Sequence, residues 1–345
     1  MDEQVIVLGA AGFIGRALCR RLKGDYHVVG VDLAWGELGP DGPDERVEQD
    51  VTELEGLDRL LAERAADRPT AAVVDLVAHY DFLNSNDPRY ERVESGLAHL
   101  IEEFGARFEK DVPFLYASSM ASVGPTQPGE PLTESSPRAA PWAYPAHKLR
   151  CEKILEAAEI PQPRVELVLA GVYSAWCELV PLYFQLERLR TGSLSAHVYP
   201  GPVDRGLTYI HVDDVARAFA EAAIRLRGHP GVHRYMIGES KPATYADIHR
   251  IAAEGFRGRP GRLMRVPRPL AKTGAAVLSA LRAEPFIRPW MIDFAGEHFE
   301  LDLTKSRREL DFEPSGYLLD RLPDIVERAR KDPDRWTSLN EARPR

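Results

Sequence analysis

Tyr144 and Lys148 stand four residues apart in a stretch with helical periodicity, so the phenol and the ammonium share one helix face. That pairing describes a tunable acid/base. A free tyrosine titrates near ~10 and is a poor proton carrier at neutral pH, whereas a cation fixed beside it favours the phenolate and lowers that value. The expectation is a phenol of lowered pKa that takes the proton of an alcohol. Upstream, Ser118, Ser119 and Ser122 follow an apolar segment, and a hydroxyl at the end of a central strand is well placed for chemistry. Taken alone, a tyrosine four before a lysine is also an ordinary helix surface pair, so the elements around it must decide.

Those elements begin at the N-terminus. Residues 4–8 form a short apolar run rich in β-branched side chains, then Gly9, Gly12 and Gly15 precede a helical pattern reaching residue 22. The spacing predicts strand, glycine turn, helix. Gly9 permits the tight turn, Gly12 lets the backbone approach a pyrophosphate, and Gly15 lets helix and strand pack closely. The helix N-terminus, with Phe13 and Ile14 in its first turn, faces the negative charge. A second strand at 27–31 ends in Asp32, whose carboxylate can bind both hydroxyls of a ribose and repels a 2′-phosphate. No arginine stands between Asp32 and Arg46, which agrees with NAD rather than NADP as the cofactor.

Strands expected at 46–49, 71–77, 112–117 and 165–170 alternate with helices at 54–66, 88–108 and from Tyr144 onward. This predicts the α/β class, with a doubly wound parallel Rossmann sheet and a smaller α+β C-terminal substrate lobe. Cofactors lie across the carboxyl ends of such strands. That nominates Asp50 and Val51 for the adenine, Leu76, Val77 and Ala78 for the central part, and Ser118, Gly171 and Val172 further along, with Tyr144 and Lys148 also in reach. His79, Tyr80 and Asp81 follow the fourth strand, and with Met120, Tyr173, Trp176 and Leu207 they give the candidate substrate contacts. Trp142, Phe286 and Trp290 are candidate pocket walls. Residues 1–175 read as the NAD-binding domain and 176–345 mostly as the substrate lobe, with segments at about 205–240 returning to the sheet. A helix is expected over 215–226, capped by Asp213 or Asp214, and His211 beside them reads as structural, so no metal site is expected.

With 44% hydrophobic residues in 345, the chain can bury a sizeable core. Its net charge of -9 argues against a nucleic-acid partner. Arg257, Arg259, Arg262, Arg265 and Arg268 form a local exception, expected as solvated loop and strand-edge positions, with an anionic ligand or partner as the alternative. Cys19, Cys151 and Cys177 form no C-x-x-C, so neither a metal knuckle nor a disulfide framework is indicated and a reducing compartment fits. No signal peptide precedes the first strand, and no apolar run approaches the ~20 residues of a membrane span; residues 269–281 read as a lid or packing helix. A cytoplasmic protein is expected.

Gly9, Gly12 and Gly15, Asp32, Asp50, Ser119 and the pair Tyr144 and Lys148, in this order, resemble the extended short-chain dehydrogenase/reductase family, which includes the NAD-dependent epimerases and dehydratases. Segments 116–125 and 142–148 look most like its 3β-hydroxysteroid dehydrogenase branch, and 209–216 and 303–314 look like family elements of the C-terminal lobe. The resemblance implies Ser119, Tyr144 and Lys148 as catalytic residues, NAD as the hydride carrier, and pairing as a homodimer. The chain also departs from the family pattern. Leu207 stands where the nucleotide-sugar enzymes carry an arginine for a diphosphate, Val93 where an asparagine is common, and Val168 and Leu169 where Arg-Pro is usual. These departures leave reversible NAD-dependent oxidation of a secondary alcohol as the expected reaction, with a small apolar or aromatic substrate. An NAD-retaining epimerase or dehydratase acting on a sugar-like substrate is one alternative, distinguished by the absence of net NADH formation. A non-catalytic NAD-binding redox sensor is another, disfavoured because serine, tyrosine and lysine are all present.

Overall fold

Side-chain alternation with period two decides the middle of the molecule. Along strand β1 (Gln4–Leu8), Val5 and Val7 enter one core while Ile6 and Leu8 enter another, and every residue is buried. A strand apolar on both faces belongs at the centre of a parallel sheet. The computed structural model, which describes residues 2–36, 42–80, 87–280 and 291–341, places it there. The candidates Asp81, Phe286 and Trp290 lie outside the described residues.

The first half of the chain alternates strands and helices, except that the second strand runs directly to the third. Helix α1 (Phe13–Leu22), β2 (His27–Asp32), β3 (Glu45–Glu48), α2 (Leu54–Asp67), β4 (Thr70–Asp75), α3 (Pro88–Arg107), β5 (Phe114–Ser119), α4 (Ala143–Ala157) and β6 (Pro163–Leu169) follow one another. Then come β7 (Gly171–Tyr173), α5 (Val180–Thr191), β8 (Val198–Tyr199), β9 (Gly206–Leu207), β10 (Tyr209–His211), α6 (Val212–Arg225) and β11 (Gly231–Ile237). All seven strands of the main sheet are parallel, in the order β3-β2-β1-β4-β5-β6-β11. The winding reverses between β1 and β4, which opens a crevice at their carboxyl ends. Helices α1 and α6 cover one face; α2, α3 and α4 cover the other. This is the doubly wound α/β fold expected.

Several element boundaries differ from expectation by a few residues, three of them for a clear local reason. Strand β4 stops at Asp75 because that carboxylate accepts the Val77 backbone N–H at 2.9 Å and turns the chain. Strand β5 continues through Ser118 and Ser119, which pair with Val168 and Leu169 of β6. Helix α6 starts at Val212, and its cap is His211, which accepts the Asp213 N–H at 3.3 Å; Asp213 and Asp214 therefore sit in the first turn, where their charge favours the helix N-terminus.

The last third adds β12 (Ala243–Thr244), α7 (Tyr245–Arg257), β13 (Met264–Arg265), α8 (Arg268–Ala280), α9 (Met291–Phe294), α10 (Thr304–Leu310), α11 (Leu318–Lys331) and α12 (Pro333–Glu341). Helices α5, α7, α11 and α12 enclose a separate core of residues such as Leu182, Tyr183, Ile248, Ile325 and Trp336. Glycines in the left-handed conformation, Gly192 and Gly258, end α5 and α7. No helix among the described residues is long and apolar enough to cross a membrane. Glu239, which follows β11, links this core to the sheet: its Oε1 accepts the Tyr173 hydroxyl at 3.1 Å and the Leu318 N–H at 2.9 Å.

Burial pushes the Glu239 carboxyl up to about 7, above its ordinary 4.5. The folded state then holds a proton that the unfolded state has released, so stability is full below the unfolded value and falls as pH rises through about 7. Replacing Glu239 with Gln keeps the acceptor and removes the titration. The variant should gain stability over wild type as pH rises from about 5 to 8, by up to about 3 kcal/mol, as read by denaturant melts across that range. A difference that does not change with pH contradicts this account.

Candidate active site

The glycine turn lies at the β1/β4 crevice. Gly9 has φ 79°, and a Cβ on it would come 3.2 Å from the Leu76 carbonyl carbon. A Cβ on Gly15 would sit 2.2 Å from the Gly9 carbonyl oxygen, so α1 can pack this closely on β1 only with glycine there. Gly12, at the N-cap of α1, meets only the Gly9 oxygen at 3.1 Å and otherwise opens outward. No side chain caps α1, and its first turn, with Phe13 and Ile14, carries no acid. A phosphate group can therefore use those backbone N–H groups. At the end of β2, the Asp32 carboxylate accepts the Ala11 and Leu33 N–H groups, each at 2.8 Å, and stays partly exposed. The remaining lone pairs suit the hydroxyls of a ribose. The open turn, the uncapped helix and the oriented carboxylate fit NAD.

The flanking candidates follow the strand ends. Asp50 is held in a turn by the Thr52 N–H and hydroxyl and lies 3.3 Å from the Arg92 guanidinium, with Val51 partly buried beside it. Leu76 donates its N–H to the Leu8 carbonyl at 3.0 Å, Val77 turns on Asp75, and Ala78 is exposed. Gly171 and Val172 lie in β7, paired with Tyr209 and Ile210 of β10.

Register brings the chemical residues to the same edge. Leu8, Asp75 and Tyr116 form one row across β1, β4 and β5, and Ser119 ends β5 three residues later. Tyr144 sits at the N-terminal end of α4, with Ser119 near enough to favour its phenolate. Lys148 lies one turn on, buried, and its Nζ donates to the Ala117 carbonyl at 2.8 Å and the Tyr116 hydroxyl at 3.1 Å. The expected lowering of the Tyr144 pKa is reversed. Burial raises it, the Ser119 hydroxyl draws it back only in part, and the Lys148 amine is turned toward β5. Burial also lowers the Lys148 value and, with the Lys148 charge, brings His147 down to about 4, while the Asp75 carboxyl rises to about 6.

Sequence reasoning missed the group that shapes this end of β5. Glu152, two turns beyond Tyr144 on α4, is buried; its Oε1 accepts hydrogen bonds from Ser118 and Ser122, the latter at 2.7 Å. Its other oxygen lies 3.2 Å from Arg138 and 3.9 Å from Arg234 of β11, and Arg234 also binds Glu166 at 2.7 Å. The Ser122 hydroxyl also lies 2.8 Å from the Ser119 carbonyl, a second acceptor for the same proton. The turn Met120–Ser122 is thus held on both sides of Ser119. Ser118, expected at the cofactor, points its hydroxyl the other way, as strand alternation requires. The available signal was the spacing Tyr144, Lys148, Glu152, which repeats one helix face.

The substrate candidates divide. Tyr80 packs edge-on to Tyr144 with ring centroids 4.5 Å apart, and Trp142 lies 5.6 Å from Tyr144, so three aromatic rings meet at the phenol. His79 lies against Tyr90 at 4.8 Å and 3.2 Å from Asp87, while Met120 is buried in the turn beside Ser119. Tyr173 and Trp176 are elsewhere: Tyr173 is fully buried with its hydroxyl on Glu239, and the Trp176 ring lies under Arg335 at 4.7 Å. Both belong to the core of α5, α7, α11 and α12, which draws them inward. Leu207 pairs with Ala243 and packs between the two cores. Arg205 is held by Gln127 at 2.6 Å.

Known proteins agree with this layout. The chain is 28% identical over 267 residues to UDP-glucose 4-epimerase of Yersinia pestis, covering 68% of this chain and 77% of that one. It is 25% identical over 349 residues to human 3 beta-hydroxysteroid dehydrogenase type 7, covering 90% of each. The solved structure of Thermus thermophilus UDP-glucose 4-epimerase in complex with NAD superposes with a TM-score of 0.70 at 21% identity, covering 95% of this chain and 99% of that one. The sequence pattern of the NAD dependent epimerase/dehydratase family matches residues 5–238. The chain therefore belongs to that family, and it is an NAD-dependent enzyme of the extended short-chain dehydrogenase/reductase superfamily.

Proposed function

We propose that this enzyme oxidises a secondary alcohol reversibly at the Ser119 and Tyr144 pair. The reading rests on the nearness of those two side chains, with Ser119 favouring the Tyr144 phenolate, at the strand edge that also carries the glycine turn. NAD, when bound, supplies the acceptor for the hydrogen and electron pair leaving the substrate carbon, together with a positive ring charge that favours the phenolate. The protein's part is positional and protic. Gly12, the α1 N-terminus and Asp32 would hold the dinucleotide, while Lys148 would turn from Tyr116 and the Ala117 carbonyl toward its nicotinamide ribose. Ser119 donates a hydrogen bond to the substrate oxygen, and Tyr144 takes the hydroxyl proton from the same oxygen. Because burial raises the phenol, its deprotonation depends on the charges that gather around it.

Leu207 at the diphosphate position, Arg205 held by Gln127, and the rings of Tyr80 and Trp142 beside Tyr144 favour an apolar or aromatic substrate over a sugar nucleotide. The match to UDP-glucose 4-epimerase supports a second reading, in which the oxidised intermediate is reduced again on a retained NAD. Net NADH absorbance on a panel of alcohols separates the two: growth at the reduced-nicotinamide band supports a dehydrogenase, and turnover without it supports an epimerase or dehydratase.

Replacing Tyr144 with Phe should lower kcat by about 10²- to 10⁴-fold and leave NAD affinity nearly unchanged. Undiminished turnover removes Tyr144 as acid/base. Glu152 is a positioning residue in the same scheme, acting on Ser119 through Ser118 and Ser122. Glu152→Gln should cut kcat by about tenfold or more, with KM and NAD affinity little altered. In a Ser119→Ala background the same change should cost almost nothing further, whereas losses that multiply would show that Glu152 serves the fold alone.

A further inference from the structure

The arginine cluster has no part in the site described above. Arg257, Arg259, Arg262, Arg265 and Arg268 are all exposed, and among the described residues none of them has a carboxylate within ion-pair distance. Neighbouring Lys272, by contrast, is matched by Asp293 at 2.6 Å. From 255 to 283 the chain contains no Asp or Glu, although its net charge is -9. A concentrated positive stretch in an acidic protein defines a direction of approach.

Tertiary structure joins apolar side chains to this charge. Strand β13 pairs with β8 so that Met264 lies beside Val198 and Arg265 beside Tyr199. The Arg257 guanidinium reaches Gly192 at the end of α5, 3.3 Å from the position a Cβ would take, next to the turn that carries Leu194. Leu194 is 86% exposed and Met264 54%. On α8, Leu270 and Val277 are two turns apart on one face, 63% and 52% exposed, while Ala275 on the other face is buried. Of the ten large hydrophobic side chains that are exposed among the described residues, five lie on these segments. Arginines and protruding apolar side chains are thus interleaved on one region of the surface.

We propose that this region docks the enzyme on an anionic phospholipid surface. Guanidinium groups meet the phosphates, and Leu194, Met264, Leu270 and Val277 enter the boundary between headgroups and acyl chains. Two weak signals, basic and apolar, together give the reversible attachment that neither gives alone. A nucleic acid would use the arginines and leave the aliphatic side chains in water. The acidic remainder of the molecule is repelled by an anionic surface, so only this face can approach it. Helix α8, at thirteen residues, lies in the interface and does not span it.

The test uses the full chain and vesicles of phosphatidylcholine, alone or with about 30 mol% phosphatidylglycerol, with the bound fraction read by sedimentation. Binding to the anionic vesicles is expected at about 0.1 M salt, and at least about tenfold weaker binding to neutral vesicles or at about 0.5 M salt. Arg262→Glu with Arg265→Glu, and Met264→Asp with Leu270→Asp, should each lower partitioning by at least about tenfold while NAD binding is kept. Should either pair lose NAD binding, Arg262→Gln and Leu270→Ser provide the same reading with smaller changes. No binding to anionic vesicles overturns the proposal. Binding that survives the Met264 and Leu270 substitutions also overturns it, as does tighter binding to duplex DNA or polyglutamate at the same salt, which would assign the arginines to a soluble polyanion.

Discussion

Helix α4 is bound to strand β5 by three polar side chains that recur every four residues, and the geometry of the site depends on that contact. Tyr144 meets Ser119, Lys148 meets Tyr116 and the Ala117 carbonyl, and Glu152 meets Ser118 and Ser122. A repeat of four advances slightly more than one turn, so the three side chains stay on one face of α4. Each leaves few rotamers open to the next. Buried polar groups of this kind are costly unless every one is partnered, which makes the arrangement rigid where rigidity serves chemistry.

The contact has an electrostatic consequence. Burial raises the Tyr144 phenol and the Asp75 carboxyl, lowers the Lys148 amine, and does so among side chains drawn from α4 and β4. The site is therefore poised so that an added charge has a large effect, because the local dielectric screens it poorly. Beyond it, Glu152 is connected through Arg138 and Arg234 to β11, the edge strand contributed by a later part of the chain. The sheet's last strand and the turn that carries Ser119 thus share one charge network.

The surface divides in a comparable way. Many arginines of the molecule pair with nearby carboxylates, as Arg64 does with Glu45, Arg190 with Glu187 and Arg307 with Glu313. The segment from α7 to α8 gathers five arginines with no carboxylate at ion-pair distance among the described residues, and it also carries exposed aliphatic side chains. Both features fall on the same region, far along the chain from the residues that bind the dinucleotide.

Local rules carried much of the fold in the sequence itself. Period-two alternation and apolar runs marked the sheet strands, the glycine intervals marked the turn between β1 and α1, and Asp32 was legible because a carboxylate at that strand end has few other uses. Tyr144 and Lys148 were legible as neighbours on one face of α4, since helical spacing alone places them there. Only the tertiary structure decided what several segments determine jointly. The sign of the Tyr144 shift is a sum over surroundings, Glu152 acquires its task from a strand about thirty residues upstream, and Tyr173 and Trp176 are drawn into a core built from helices far ahead in the chain. Likewise, Leu194 and Met264 share a surface only because β8 and β13 pair. Periodicity reports the face a residue occupies on its own element; what lies against that face depends on the path of the whole chain.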